Sequence, residues 1–228
     1  MKPTQPSKPL AHEPQVLVWD LPTRLFHWLL ALGVLGSFVT VKLGLMDWHG
    51  RIGGFVLSLL LFRLIWGVWG GATARFSQFL PTPARLVAYL RGRAWSGLGH
   101  NPLGALSVVA LLGVFLIQAL AGLATTDEIA YDGPLVAVVS SDWVEWAGWV
   151  HLTTEPLLMG LVLLHVIAIV FYRIRKGQNL VRPMITGYGP TPPSGQVTGV
   201  VDRSVDRLRA AGSWAFSAAL VVGVFVGF

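Results

Sequence analysis

The sequence predicts an all-α integral membrane protein, a four-helix bundle with a short C-terminal fifth transmembrane helix. Three observations carry that prediction. First, 54% of the 228 residues are apolar, 12% are charged, and ten are Trp, which is more apolar surface than one soluble core can cover. Second, runs long enough to cross a bilayer recur at about 25–45, 49–70, 103–124 and 142–172, with a shorter run at 214–228. Third, the basic residues gather in particular loops, as membrane topology demands. The formal charge of +6 therefore follows from topology, and no nucleic-acid partner is expected. Cysteine is absent, which excludes disulfides, cysteine-held iron–sulfur clusters and covalent c-type haem attachment.

The Pro-rich, polar first residues read as a surface arm over 1–18, with His12 solvated and no apolar run to suggest a cleavable signal. Pro22 suits the start of the first span, and Trp19 and Trp28 suit an interface. The second span opens at His49 and holds one deep charge, Arg63, fourteen residues on and on a similar face. Residues 71–101 carry Arg75, Arg85, Arg91 and Arg93 with no acid, a basic loop with one short interfacial helix. Gly99-His100-Asn101-Pro102 begins the third span. The next loop is acidic (Asp127, Glu128, Asp132, Asp142, Glu145), and Asp142-Trp143-Val144-Glu145 has the spacing of a capping box. From there a fourth helix is expected to run to about residue 172, kinked at Pro156, which has no N–H for the Leu152 carbonyl. A Gly/Pro-rich linker then leads to the last apolar run, about fifteen residues long and either a marginal span or an anchor.

With a cytoplasmic N-terminus, Lys42 and Arg51 alone of the 17 Lys and Arg fall outside, so that orientation is expected. Trp48, Trp143, Trp146 and Trp149 then form an outer aromatic belt, with Trp66 and Trp69 at the inner one.

His151 and His165 are fourteen residues apart in one apolar helix. At about 100° and 1.5 Å per residue they fall within roughly 40° of one face and about 21 Å apart along the axis. Because spans alternate direction, His27 lies at the inner depth with His165, and His49 at the outer depth with His151. A lone histidine near a span end is ordinarily an interfacial or hydrogen-bonded residue. Four that form two depth-matched pairs point instead to axial ligation of two haem irons, a wire across the membrane. Arg63 at the inner level and Arg51 at the outer are candidates to neutralise haem propionates, against snorkelling to headgroups. His100 has no partner at its depth and reads as a helix-start or interfacial residue, with a propionate or quinone contact as the lesser reading. Gly53, Gly54 and Gly160 would let a flat macrocycle approach the backbone, although glycines also serve helix packing.

Trp19-Asp20-Leu21-Pro22-Thr23-Arg24-Leu25-Phe26-His27-Trp28, His49-Gly50-Arg51-Ile52-Gly53-Gly54, Arg63-Leu64-Ile65-Trp66-Gly67 and Gly99-His100-Asn101-Pro102-Leu103-Gly104, together with the His151/His165 pair, resemble the bacterial cytochrome b561 family. That family includes the cytochrome b subunits of nickel-iron hydrogenases. The resemblance covers about residues 16–180 and implies two non-covalent, bis-histidine haem b groups in a four-helix bundle of the bacterial cytoplasmic membrane. It implies His27, His49, His151 and His165 as ligands, and electron relay between the quinone pool and a redox partner; the acidic loop from Asp127 to Glu145 suits steering of a positively charged partner such as a periplasmic c-type cytochrome. The organisation expected is a cytoplasmic arm (1–18), a di-haem domain (19–176), a cytoplasmic linker (177–212) and a C-terminal helix (213–228), and the tail departs from short family members. A second reading is the anchoring subunit of a larger oxidoreductase, of hydrogenase or molybdenum-reductase type. A third, a proton-coupled transporter, needs acids within the spans, where Glu155 is the sole candidate.

Overall fold

The structure, a computed structural model, describes residues 15–95, 97–129, 131–191 and 203–227; His12 and most of the N-terminal arm lie outside them. Five helices are long and apolar enough to cross a membrane: α1 (Leu21–Lys42), α2 (Met46–Trp69), α5 (Pro102–Gly122), α6 (Ser141–Arg175) and α8 (Ser204–Gly227). Three short elements, α3 (Phe76–Phe79), α4 (Pro83–Leu90) and α7 (Val181–Thr186), lie between them.

Side-chain caps set several helix starts. Asp20 Oδ1 accepts from Thr23 N at 2.9 Å ahead of Pro22, and Asn101 Oδ1 accepts from Gly104 N at 2.8 Å ahead of Pro102. The capping box expected at Asp142 does not form. Helix α6 starts at Ser141 with Ser140 as N-cap and no side-chain cap bond, so Asp142 sits in the first turn, where its charge complements the helix dipole. Pro156 is accommodated inside a helix that runs unbroken for 35 residues.

The centre of the bundle is α2, with α1, α5 and α8 packed around it, while α6 packs on α5. Without a hydrophobic force between helices in lipid, close approach depends on small residues. A Cβ on Gly33 would stand 2.7 Å from Val56 Cγ2, and one on Gly36 would stand 3.3 Å from Ile52 Cδ1. Three apolar clusters follow α2 through its depth, the end of the bundle that holds Trp66 being called inner and the end that holds His49 outer. Phe26, Leu59, Phe62, Trp66, Ala74 and Ala210 form one at the inner end, Val56, Leu60, Phe115 and Leu158 one in the middle, and Leu57, Leu123 and Val221 one at the outer end.

The fifth helix is longer than its apolar run, at 24 residues. It extends backwards because Asp206 pairs with Arg209 at 3.8 Å, and Ser213 and Ser217 donate to the carbonyls of Arg209 and Ser213, so its polar start is satisfied within the helix. Ala210 packs in the inner cluster and Phe225 beside Gly54 near the outer end. The fifteen-residue rise from Ala210 to Phe225 covers about 22 Å, so α8 follows α2 across most of a bilayer core.

The segment expected as a plain linker is folded in its described part. Strand β2 (Tyr188–Pro190) pairs antiparallel with β1 (Gln15–Leu17), and α7 lies just before it. Gly187, at φ 89°, ends α7 in the left-handed region that glycine adopts without strain. Its carbonyl accepts from Val18 N (2.8 Å) and Trp19 N (3.2 Å). Arg24 Nη1 donates to Ile185 O at 2.7 Å and Trp28 Nε1 to Met184 O at 3.1 Å, which ties this segment to the start of α1.

Two tryptophans assigned to interfaces are core residues. Trp66 is 1% exposed and Trp19 7%. The others on the outer face, Trp48, Trp143, Trp146 and Trp149, are all more than half exposed, as is Trp69 on the inner side.

Candidate metal centres

The structure brings the four histidines together in the two pairs that helix depth suggests. The rings of His27 on α1 and His165 on α6 have centroids 6.3 Å apart at 51°, and those of His49 on α2 and His151 on α6 are 6.1 Å apart at 87°. An imidazole nitrogen sits about 2 Å from a first-row metal ion, which puts its ring centroid roughly 3.2 Å away and two trans imidazoles about 6.3 Å apart. Both pairs have the separation of two axial ligands with a metal between them. Among the described residues no third His, Asp or Glu joins either pair to complete an all-protein metal cluster.

Orientation of the outer pair comes from backbone carbonyls. His49 Nδ1 is 2.9 Å from Ser37 O, and His151 Nδ1 is 2.9 Å from Gln118 O. Donation from Nδ1–H to these oxygens fixes the tautomer and leaves each Nε2 lone pair free for a metal. The Gln118 side chain is itself held by the Thr154 hydroxyl. A cavity of about 420 Å³ opens beside this pair, walled by α1, α2, α5 and α6 and lined by Gly50, Gly53, Gly54, Gly122 and Gly148 as well as by both histidines. Phe225 of α8 and Tyr131 of the outer loop also reach it. The Tyr131 hydroxyl is pushed above its ordinary value by burial and by the nearby Asp47 charge, and so stays protonated at neutral pH. Gly160, a third candidate for macrocycle approach, is exposed and borders open space.

Around the inner pair several polar atoms are buried without a hydrogen-bond partner: His27 Nδ1, His100 Nδ1 and Arg63 Nη1. Buried polar groups are almost always satisfied, so three orphans near one another indicate a polar ligand that belongs among them. Arg63 is 2% exposed, with its guanidinium 5.0 Å over the Phe76 ring and 6.0 Å from that of Phe79. The short α3 therefore roofs this arginine, and it does not snorkel. His100 is held between Trp19 and Phe79, with centroids 4.6 and 4.9 Å away. Burial, then the charges of Arg63, His165 and His27, push its imidazole down to about 3, which keeps it neutral. Beneath His165, the hydroxyls of Tyr172 and Tyr89 are 2.9 Å apart and Asn101 Nδ2 donates to Tyr172 at 2.8 Å. Burial and that contact push the Tyr89 hydroxyl up to about 12.

Arg51, expected at the level of the outer pair, turns away to the surface. It is exposed, lies 5.4 Å over the Trp48 ring, and is absent from the cavity lining.

Asp20, Gln118, Tyr131 and Phe225 are site residues that sequence reasoning passed over. A lone amide in an apolar span was a usable signal for Gln118, and a carboxylate at a span start was one for Asp20. Nothing in the sequence distinguished Tyr131 or Phe225.

A membrane bundle that sets histidine pairs at two depths, each at axial-ligand separation, has the architecture of a membrane cytochrome. The family model of the prokaryotic cytochrome b561 matches residues 18–187, most of the chain, and the protein belongs to that family. It is a multi-pass membrane b-type cytochrome of electron transfer. No curated protein and no solved structure matches the chain. The haem b that the family implies fits the residues present, by the spacing of the rings, the glycine-lined cavity and the orphaned inner donors.

Proposed function

We propose that the protein carries single electrons across the bacterial cytoplasmic membrane through two haem b groups, one held by His27 and His165 and the other by His49 and His151. The observation that carries this reading is that both ring separations, 6.3 and 6.1 Å, would admit one metal ion held by the two imidazoles of a pair. When bound, each haem supplies a one-electron iron couple. The chain supplies the ligands, fixes the outer rings through the carbonyls of Ser37 and Gln118, and excludes water with apolar walls. Arg63, buried with an unpartnered Nη1, is suited to neutralise the carboxylates of the inner group; Arg51 has no such part.

Quinol or quinone of the membrane pool and a second redox protein are the electron partners in this reading, with the N-terminus cytoplasmic. The acidic outer loop supports a basic partner such as a c-type cytochrome on the far side. The test is a reduced-minus-oxidised spectrum of the purified chain with a pyridine haemochrome count. Two haem b per chain, reducible by a quinol, are expected; a colourless preparation, or haem that quinol never reduces, defeats the reading.

Gly122 provides a check on the outer site. A Cβ there would meet His151 Cε1 at 3.1 Å and Nδ1 at 3.3 Å, so alanine shifts the ring by a few tenths of an ångström and strains its bond to the Gln118 carbonyl. Loss of such a supporting contact weakens metal-group affinity by about tenfold or more. Gly122→Ala is expected to lose outer haem on repeated dilution while the inner haem stays, as followed by absorbance.

A further inference from the structure

We infer that α8, which lies beyond the region shared with the family, acts as a wall of the outer site through Phe225 and thereby sets the redox balance of the haem held there. The inference rests on the two-haem reading above. Residues 18–187 are the family's, and α8 begins at Ser204, so this wall is an addition to the four-helix plan. Its contact with the site is specific. Phe225 lines the cavity beside His49 and His151, and a Cβ on Gly54, next to Gly53 and five residues past His49, would lie 2.9 and 3.0 Å from Cε2 and Cζ of its ring.

That glycine is what lets the ring close against α2. The helix is anchored for the purpose along its length, by Ala210 in the inner cluster, by Ser217, which is fully buried, and by Val221 against Leu57 and Leu123. The next residue, Val226, is 80% exposed, so Phe225 faces the site while its neighbour faces out.

The physical consequence concerns charge. The ferric form of a haem carries one more positive charge than the ferrous form, and a low-dielectric wall disfavours the more charged state. An apolar ring at the cavity therefore favours the ferrous form of the outer group. The inner pair lies about 21 Å away along α6 and is untouched by Phe225.

The experiment is a mediated potentiometric titration of the full chain, read by absorbance, for the unsubstituted protein, Phe225→Ala, Phe225→Leu and Val226→Ala. The outer component is identified as the one missing from His49→Ala. Phe225→Ala is expected to move the ferrous-to-ferric ratio of the outer haem about tenfold toward ferric at a fixed potential, which for a one-electron couple is about 59 mV. Phe225→Leu is expected to move it by less, and Val226→Ala not at all, with the inner haem unmoved throughout. Selective loss of the outer haem from Phe225→Ala also supports the inference. If Phe225→Ala does not fold, the Phe225→Leu titration decides. Titration curves in which the outer haem is unmoved, or in which both haems move equally, overturn it. An unsubstituted chain with no haem lost on His49→Ala instead overturns the reading beneath.

Discussion

Replacing His165 by alanine is expected to halve the haem content of the chain, and replacing His27 is expected to remove the same haem. The two ring centroids lie 6.3 Å apart, so either substitution would leave one imidazole of the pair and a void beside it. The His49→Ala and His151→Ala chains are each expected to lose the other haem, since those rings are paired at 6.1 Å. Residues that act as a unit give non-additive losses. The His27→Ala/His165→Ala chain should therefore hold as much haem as either single variant, whereas His27→Ala/His49→Ala should hold none. Pyridine haemochrome ratios count the haems, and low-temperature spectra tell which remains. Different spectral components lost in His27→Ala and His165→Ala would refute the pairing.

The effect should be large because helix packing does little to replace the ligands. The extensive interfaces join α1 to α2, α2 to α5 and α8, and α5 to α6. Helices α1 and α6 have no such interface, and the His27–His165 approach is the ring contact that joins them among the described residues. A group held by both rings would keep α1 and α6 together where no extensive interface does, so loss of the inner haem is expected to loosen α1 from α6 as well.

What could be read from the sequence follows from which signals are local. Span positions come from runs of apolar residues, and the histidine depths from helical rise and alternating direction; both are local arithmetic on His27, His49, His151 and His165. The length of α8 was underestimated because an apolar run stops at its first arginines. A helix does not stop there when Asp206 pairs with Arg209 and serines bond back to the preceding turn. The fold of residues 181–190 onto the N-terminal segment rests on backbone bonds to Gly187, and backbone groups carry no sequence signal. Trp66 was misplaced for a related reason. Its position near a span end suggests a headgroup belt, but a carboxylate 46 residues earlier accepts its indole N–H, and that pairing is visible only in three dimensions.

That carboxylate, Asp20, is the residue whose removal is expected to cost most stability outside the ligands. It is 3% exposed and serves three groups at once. Oδ1 caps α1 through Thr23 N at 2.9 Å, Oδ2 accepts from Trp66 Nε1 at 3.2 Å, and its charge acts on the buried Arg63. Loss of a cap costs about 1 kcal/mol, and loss of a hydrogen bond to a charged group about 2. Asp20→Ala is thus expected to destabilise the chain by about 3 kcal/mol, and by more to the extent that Arg63 is left without a counter-charge. For a chain of this size that is a fall in Tm of roughly 6–12 °C, measurable by thermal unfolding in detergent with haem bound. Asp20→Asn separates the cap from the rest, because its one amide oxygen still caps Thr23 while its amide nitrogen faces the indole N–H donor to donor and the charge is gone. If the indole bond and the charge beside Arg63 matter, the asparagine chain should show most of the alanine loss; if the cap is the whole effect, it should unfold with the unsubstituted protein.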